Sequence, residues 1–501
     1  MAAGQTNSVS DVLIALPPGP GALRHRLEQA ILESIASGRL TPGTALPPSR
    51  VLADTLGISR WVVTETYGHL VNKGVLDART GSATRVAASA GGVEAPLVEL
   101  VETRFRQARP TAGRLGLERA PRRATHDLAP GVPDLRHVPR EAWLRAARDA
   151  LAAATNEDLG GQPADGHPAA REAVAAHLRR ARMTAGPDRA VLLTRSATDG
   201  MSRIAAALAD AGHTHLLVED PSWAPLRDVA AAAGLVPVPV PVDDDGVSIN
   251  RLRTEAARTG ARAVLLTPAH QFPLGAALSD DRRAAVLAWV RDVDGLVIED
   301  DYDAEFRYDR RPVPALQGLD AERVVLLGAT SKTLAPAFGI GWMVVPERWR
   351  AAVLGVSVRR GPTPGPATLD QLTLARFVAD GAYARHLRAA RARYARRRSA
   401  LLTALDDQLP GARVGGIAAG MHVTVDLAGL DLPGVDPRGI DAAAVAREGA
   451  ARDVALVDLR RYQAAPSPRS TVLVLGYGNL ADARLEEAVR SLRAAVEAAA
   501  R

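Results

Sequence analysis

The chain has 501 residues, no cysteine, and 62 Lys and Arg against 56 Asp and Glu, for a formal net charge of +6. This length exceeds what one hydrophobic core usually supports, so we expect two or three domains. The lack of cysteine excludes disulfides, thiolate nucleophiles and cysteine-based zinc sites, and fits a reducing cytoplasm. No basic segment followed by an apolar core opens the sequence, and no apolar stretch is of membrane-spanning length, so we expect a cytoplasmic protein without a membrane partner.

Three short helices are predicted near the amino terminus. The first covers about residues 20–36, the second is capped by Ser49 and ends near Leu56, and the third is capped by Ser59 and ends near Lys73. A glycine-containing turn joins the last two, as in a helix-turn-helix, whose second helix places its first residues in the major groove of DNA. A three-helix module for protein contacts fits the same spacing. A basic hairpin, with strands at 75–79 and 83–86, is expected to follow.

The string LPPSRVLADTLGISR at residues 46–60, with the hairpin that follows, resembles the winged helix of GntR-family transcription regulators. The resemblance and the position of each side chain on its helix or hairpin imply DNA contacts at Arg50, Ser59, Arg60, Trp61, Thr64, Arg79 and Gly81. Arg60 and Trp61 are expected at bases, and Arg50 and Gly81 at the DNA backbone. The net positive charge is compatible with such a partner, and equally with an arginine-biased composition.

Beyond the winged helix, residues 88–125 are irregular and arginine-rich, so we expect a mostly solvated linker with one short helix near 97–107. From 126 to 346, apolar runs alternate with alanine-rich stretches, which predicts an α/β domain with parallel strands, helices on both faces and ligands at the carboxyl ends of the strands. Residues 385–398 predict a long basic helix with a solvated or dimer-facing arginine face. A smaller α+β region follows.

Lysine is rare in this sequence, and Lys332 stands at a marked place. Only Lys73 and Lys332 are lysines, and every other basic residue of this count is arginine. Arginine stays protonated, whereas a lysine amine can lose its proton and attack a carbonyl. Lys332 follows one apolar run, and Asp300 and Tyr302 follow another. An amine, a carboxylate and a phenol at neighbouring strand ends suit pyridoxal phosphate, although a surface cation and helix-capping acids fit the same spacing.

Three blocks, at residues 267–275, 298–308 and 331–336, together look like the aminotransferase-like domain of MocR-type regulators, which fuse a GntR winged helix to a fold-type-I domain. The implied organisation is a winged helix-turn-helix at 18–87, a linker at 88–125, a large domain at 126–346, and a connecting helix with a small subdomain at 347–501.

This second resemblance assigns roles to individual residues. It implies that Lys332 is the Schiff-base lysine, Asp300 the partner of the pyridine nitrogen and Tyr302 the phenol near the ring oxygen. Trp223 takes the place of the ring that stacks on the cofactor, and His270 that of a polar contact to it. The arginine that would hold the carboxylate of an effector is best matched by Arg469.

The phosphate end of the implied cofactor site departs from the family pattern. Residues expected around the phosphate are Arg195, Ser196, Ala197 and Ser331. Departures lie at Gly161, Ser196, Ala329 and Gly339, where a tyrosine, a glycine, a hydroxyl and the phosphate arginine are usual. Since a charge-assisted contact contributes roughly 1.5 to 3 kcal/mol, these losses could cost orders of magnitude in affinity. Either Arg195 supplies the missing charge, or the site binds pyridoxal phosphate poorly or takes another effector.

The sequence as a whole therefore predicts a homodimeric transcription regulator that binds operator DNA and, through its aminotransferase-like domain, senses an amine, an amino-acid-related effector or pyridoxal phosphate itself, with pyridoxal phosphate as the expected cofactor. A catalytically active aminotransferase is one alternative. A DNA-binding regulator whose large domain has lost the cofactor, and serves dimerisation or another ligand, is the other.

Overall fold

The computed structural model describes residues 16, 23–37, 39–72, 74–78, 83–87, 124–161, 163–308, 313–359 and 365–500. The chain divides into two compact units, Met1–Thr111 and Ala112–Arg501. The helix predicted near 97–107 and the residues Arg79 and Gly81 lie outside the described residues. Among the described helices, none combines the length and the apolar character that a membrane crossing requires.

The described part of the first unit contains three helices and one small hairpin. They are α1 (Leu23–Ala36), α2 (Ser49–Leu56), α3 (Arg60–Asn72), β1 (Leu76–Asp77) and β2 (Arg85–Val86). The strands pair antiparallel, with Leu76 opposite Val86. One apolar side of each helix packs into a common core. The Tyr67 hydroxyl donates a 2.9 Å hydrogen bond to the Pro47 carbonyl, which ties α3 to the turn before α2. These elements confirm the predicted winged helix-turn-helix. The predicted Ser49 cap is wrong, because Ser49 is the first residue within α2 and the cap position is Pro48, which makes no side-chain cap hydrogen bond.

In the described residues of the second unit, a first strand is followed by alternating helices and strands. Its strands are β3 (His126–Asp127), β4 (Val191–Thr194), β5 (His215–Asp220), β6 (Val236–Asp243), β7 (Gly246–Val247), β8 (Ala263–Leu266), β9 (Leu296–Asp300), β10 (Val324–Ala329), β11 (Gly341–Val344), β12 (Arg413–Gly415), β13 (His422–Asp426), β14 (Val454–Ala455), β15 (Val457–Asp458) and β16 (Val472–Gly476). Its helices are α4 (Arg140–Ala153), α5 (Asn156–Gly160), α6 (Pro168–Arg182), α7 (Ala197–Asp210), α8 (Ala224–Ala232), α9 (Ile249–Thr259), α10 (Asp280–Asp292), α11 (Leu316–Leu319), α12 (Glu347–Arg359), α13 (Thr368–Ala379), α14 (Ala382–Gln408), α15 (Ala442–Ala451) and α16 (Leu485–Ala499).

A mixed, mostly parallel sheet forms the centre of this unit. The eight strands run in the order β4-β11-β10-β9-β8-β5-β6-β7. Strands β10, β9, β8, β5 and β6 are parallel to their neighbours in this run, whereas β11 and β7 pair antiparallel. Alternate residues of β9 enter different cores, with Ile298 in one and Val297 in the other. Both faces are therefore buried, as expected for a sheet covered by helices.

The carboxyl-terminal region forms a second, antiparallel sheet in the order β12-β13-β16-β15. Strand β3, at the start of the predicted large domain, pairs in parallel with β14 in this later region. The predicted basic helix is present as α14, but a fully solvated arginine face is wrong for Arg397. Its side chain is 1% exposed, and it donates to the buried Asp134 carboxylate at 2.8 Å. The structure buries this cation because it has a buried anion to pair with.

Candidate functional site

Two neighbouring parallel strands bring the predicted amine and carboxylate to one edge of the sheet. Strand β9 ends at Asp300, which lies opposite Leu327 of β10. Strand β10 ends at Ala329, and the turn that carries Lys332 follows. Because parallel strands present their carboxyl ends on the same side, Asp300 and Lys332 face one crevice.

Lys332 is half-buried, and its amine donates a 2.5 Å hydrogen bond to the Gly131 carbonyl. Burial lowers the pKa of Lys332, and the negative charges of Asp303 and Asp300 oppose this shift. Gly131 has φ +114, and a Cβ there would lie 3.4 Å from the lysine nitrogen. A lowered pKa enlarges the neutral fraction of the amine, which is the form that attacks a carbonyl.

Asp300 carries the least satisfied carboxylate of this crevice. Its Oδ1 atom is buried and has no hydrogen-bond partner among the residues that the structure describes. Burial raises the pKa of Asp300 to about 7, and the neighbouring Asp301 adds to the rise, whereas Lys332 lowers it. A buried acceptor without a donor is costly, so this oxygen is suited to a ligand that brings a proton to it.

A buried network of four residues lies beside these groups. The His270 Nδ1 atom is 2.9 Å from the Asp303 carboxylate and 3.0 Å from the Tyr302 hydroxyl. Tyr302 also hydrogen-bonds Asp303, and burial together with the charge of Asp303 raises the pKa of Tyr302 well above its usual range. The ring of His422 lies 4.9 Å from that of His270. The Tyr302 hydroxyl is thus already bonded, and its contact with a ring oxygen stays a prediction.

Sequence reasoning missed Gly131, Asp303 and His422 as members of this site. The side chains of His270, Asp303 and His422 offer possible metal-ligand atoms within 4.8 Å of one another. However, Asp303 already accepts from His270, and the His422 Nε2 atom is 3.1 Å from the Pro273 carbonyl. Burial and the neighbouring His270 hold the pKa of His422 well below its usual range. The sequence signals were the acidic cluster at residues 299–305, which contains Asp303, and the histidine that opens the strand His422–Asp426.

An aromatic wall connects Trp223 to this network. Trp223 lies directly before helix Ala224–Ala232, is 41% exposed, and has its ring 5.8 Å from that of Phe272. The Phe272 ring is also 5.9 Å from Tyr302 and 4.9 Å from Tyr462. The structure therefore groups Trp223 with Tyr302 around one phenylalanine, which leaves a half-open ring face at the edge of the crevice.

The predicted phosphate loop lies at the start of helix Ala197–Asp210. The Ser196 hydroxyl accepts from the Asp199 amide at 3.1 Å and so caps the helix, while Arg195 is exposed. Gly341 packs against Ser196, since a Cβ on Gly341 would lie 2.8 Å from the Ser196 carbonyl carbon. Gly341 also pairs with Ala329, the last residue of β10. The loop is therefore next to the strand that leads to Lys332.

The remaining predicted positions are more scattered. Ser331 is half-buried in the turn before Lys332. Gly161 ends the short helix Asn156–Gly160, and Gly339 has φ +60 with open space where a side chain would begin. Arg469 is exposed in the loop before β16, and no described contact joins it to the crevice. Its role as the effector-carboxylate arginine stays a prediction.

The predicted DNA contacts that the structure describes are all on the surface of the first unit. Arg50 is exposed at the second residue of α2, and Ser59, Arg60, Trp61 and Thr64 are exposed around the start of α3. The Ser59 hydroxyl accepts from the Val62 amide at 3.4 Å, in keeping with its predicted capping role. The side chains expected to face bases thus project from one helix start.

Known proteins resemble both units. Residues 126–486 match the family Aminotransferase class I and II, and residues 23–86 match the family Bacterial regulatory proteins, gntR family. The HTH-type pyridoxine biosynthesis transcriptional regulator PdxR of Corynebacterium glutamicum is 32% identical over 83% of this chain and 86% of its own length. The probable rhizopine catabolism regulatory protein MocR of Rhizobium meliloti is 31% identical over 94% of this chain and 93% of its own.

Among solved structures, the fold resembles aminotransferases. LysN, an α-aminoadipate aminotransferase from Thermus thermophilus complexed with N-(5'-phosphopyridoxyl)-L-leucine, has a TM-score of 0.67 at 24% identity, covering 79% of this chain and 98% of that one. The kynurenine aminotransferase of Pyrococcus horikoshii has a TM-score of 0.65 at 22% identity, covering 82% of this chain and 96% of that one. At these identities the likeness establishes the fold alone.

Proposed function

Because the chain belongs to the MocR-type transcription regulators, which join a GntR winged helix-turn-helix to an aminotransferase class I and II domain, we propose that its second unit binds pyridoxal phosphate and senses an amine. The chain is a DNA-binding regulator by this membership. The cofactor, the effector class and the dimeric state are the proposed part.

The observation that carries the proposal is the unpartnered Oδ1 atom of Asp300 in the same crevice as Lys332. A protonated ring nitrogen would give this oxygen the donor that it lacks. When bound, pyridoxal phosphate supplies an aldehyde that primary amines attack. Lys332 is the amine of the crevice, and its lowered pKa suits that chemistry. The half-open face of Trp223 offers a flat apolar surface to a pyridine ring.

At the phosphate end, we favour Arg195 as the residue that compensates for the missing cup. Arg195 stands immediately before the first turn of helix Ala197–Asp210, where the helix dipole favours an anion. The Arg195 amide donates to the Asp199 carboxylate at 2.9 Å, so the guanidinium is the group of Arg195 proposed to bind phosphate. A guanidinium can also bond two phosphate oxygens at once. The hydroxyls of Ser196 and Ser331 remain as further donors in this part of the site.

The effector class follows from the role of Lys332. A small primary amine or amino acid would compete with Lys332 for the aldehyde carbon and release the lysine. The Lys332 amine donates a hydrogen bond to the Gly131 carbonyl. The segment just before Gly131 lies against β16, where the Gly476 amide donates to the Leu128 carbonyl at 2.7 Å. We infer that occupancy by the effector is passed through this segment to the carboxyl-terminal sheet.

The proposed partners are double-stranded operator DNA and a second copy of the chain. A homodimer would place two winged helices on two half-sites, so that the symmetry of the protein is matched by that of the operator. Such a regulator acts where the chromosome is, and we therefore place it in the cytoplasm.

The experiment that tests this function starts with selection of duplexes from a random library by the full-length protein. Binding of the selected duplex is then measured with pyridoxal phosphate alone and with added primary amines. We expect a palindromic site whose affinity changes with an amine in wild type but not in a Lys332→Ala variant. Steady turnover of an amino acid and a 2-oxo acid would make the protein an enzyme instead. If operator affinity changes with neither pyridoxal phosphate nor amines, the second unit would serve dimerisation and not sensing.

A further inference from the structure

The exposed face of α3 carries one large apolar side chain at the position where a recognition helix meets bases. Trp61 is the second residue of α3 and is 66% exposed. Of the large apolar side chains exposed in the described part of the first unit, Leu23 and Val51 are less exposed and lie on other helices. Because its side chain is mostly exposed, Trp61 contributes little to the hydrophobic core of the unit. The neighbouring residues on the helix indicate what it could contact.

The burial pattern of α3 places Trp61 at the head of one continuous outward stripe. Thr64, Glu65 and Gly68 lie three, four and seven residues further on, and all are exposed. The opposite stripe is buried in the core of the unit and consists of Val63, Thr66, Tyr67 and Leu70. The outward stripe is the surface that a helix-turn-helix lays into the major groove, with its first residues nearest the base edges.

The hydrogen-bonding chemistry of this stripe is limited. The Thr64 hydroxyl donates to the Arg60 carbonyl at 3.0 Å, so its proton is already used within the helix. Gly68 has no side chain, and an added Cβ there would find no atom within 4 Å. Glu65 adds a carboxylate, which only accepts hydrogen bonds and suits a cytosine amino group rather than thymine. At Trp61 itself, the stripe offers an apolar indole ring with a single N–H donor. In the major groove, the matching feature is the 5-methyl group of thymine, the apolar mark that separates T·A from the other base pairs.

We propose that Trp61 determines operator specificity by packing on a thymine 5-methyl group in each half-site. The inference rests on the proposed operator binding and deepens it by naming the base feature that is read. The partner is double-stranded DNA because the neighbouring Arg60 and Arg50 are exposed cations. In addition, residues 23–87 hold 8 Lys and Arg against 5 Asp and Glu, a surplus of basic residues that suits phosphates.

The test removes the methyl group without altering any hydrogen-bonding group of the base. Full-length protein selects its duplex from a random library, and each thymine is then replaced singly by deoxyuridine. Wild type is expected to lose roughly threefold to tenfold in affinity at one thymine per half-site, the size of a single buried methyl contact. Trp61→Ala is expected to bind thymine and deoxyuridine duplexes equally, and Trp61→Phe to keep part of the difference.

Leu23→Ala is the matched control, since it removes an exposed apolar side chain of the same unit from another helix. It is expected to keep the full thymine preference. The inference is overturned if wild type accepts deoxyuridine at every position, or if Trp61→Ala keeps the preference. Those outcomes leave operator binding intact, whereas failure to select any duplex would overturn the proposed DNA-binding function together with the inference.

Discussion

Replacing Asp300 with asparagine is expected to stabilise the cofactor-free protein, although the residue is proposed to bind the cofactor. Asp300 is buried at the end of β9, and burial raises the pKa of its carboxyl from the ordinary 3.8 to about 7. The folded state therefore holds a proton that the unfolded chain has released. Between the ordinary pKa of 3.8 and the folded pKa of about 7, the free energy of unfolding therefore falls as pH rises. Above the folded pKa, the destabilisation caused by the buried carboxylate no longer changes with pH. An amide does not ionise and avoids this penalty.

The size of the effect follows from the same pKa. Each pH unit below the folded pKa corresponds to about 1.4 kcal/mol. Between pH 5 and the folded pKa of about 7 there are two such units, so the stability advantage of Asp300→Asn over wild type should grow by about 3 kcal/mol from pH 5 to pH 8. Glu299, whose pKa burial also raises to about 7, is present in both proteins and cancels in the comparison. The pKa of Glu219 is also raised to about 7 by burial, and its charge is one of the causes that raise the pKa of Asp300, so its interaction with Asp300 is part of the measured difference.

Urea unfolding of cofactor-free protein at pH 5 and pH 8, followed by circular dichroism, measures this difference. Asp406→Asn, an exposed carboxylate on helix Ala382–Gln408, serves as the control and should show no comparable growth. In a parallel titration, Asp300→Asn should weaken binding of pyridoxal phosphate, since the negative charge that would hold the ring nitrogen protonated is lost while the amide oxygen remains only a neutral acceptor. Parallel pH profiles for wild type and Asp300→Asn would show that the carboxylate is not held in a raised-pKa state, and the reasoning would fail.

Three further predictions concern the phosphate end, the buried ion pair and the packing of the site. Arg195→Ala should weaken pyridoxal phosphate binding about tenfold to a hundredfold in an absorbance titration, the loss of one charge-assisted contact; unchanged affinity would remove Arg195 from the site. Arg397→Met removes the buried one of two arginines that lie 2.8 Å from the Asp134 carboxylate, the other being the more exposed Arg136, and should lower the free energy of unfolding by about 3 kcal/mol; a loss below about 1 kcal/mol would contradict the pairing. Gly420→Ala would place a Cβ 2.1 Å from the His270 ring, so the variant should lose cofactor binding while operator binding is retained; full cofactor affinity would refute that packing.

The local hydrophobic pattern of the sequence was sufficient to predict secondary-structure elements and to place the Lys332 amine and the Asp300 carboxylate in one site. Apolar spacing near residues 20–36 predicted a helix that the structure gives as Leu23–Ala36. Asp300 and Lys332 could be placed together because both follow apolar runs, and parallel strands deliver their ends to one edge. Here sequence separation does not matter, since the topology of the sheet does the positioning.

Positions set by tertiary packing could not be predicted in this way. His422, the first residue of β13 in the second sheet, reaches His270 and the Pro273 carbonyl in the segment after β8 of the first sheet, and no local spacing encodes that approach. Arg397 reads as one more cation in a basic run, and its burial depends on Asp134, which is 263 residues away along the chain. The pairing of β3 with β14 likewise joins two segments that lie far apart in the sequence, and no local pattern predicts it.

We propose that this DNA-binding regulator holds pyridoxal phosphate through Lys332. The absorbance spectrum of the purified protein is the most direct measurement of that attachment. Spectra are recorded with and without added pyridoxal phosphate, for wild type and Lys332→Ala. We expect wild type to show a visible absorption band whose intensity saturates as cofactor is added, and we expect Lys332→Ala to lack this band. A spectrum at saturating pyridoxal phosphate that shows only free cofactor, or a band of equal strength in both proteins, would contradict it.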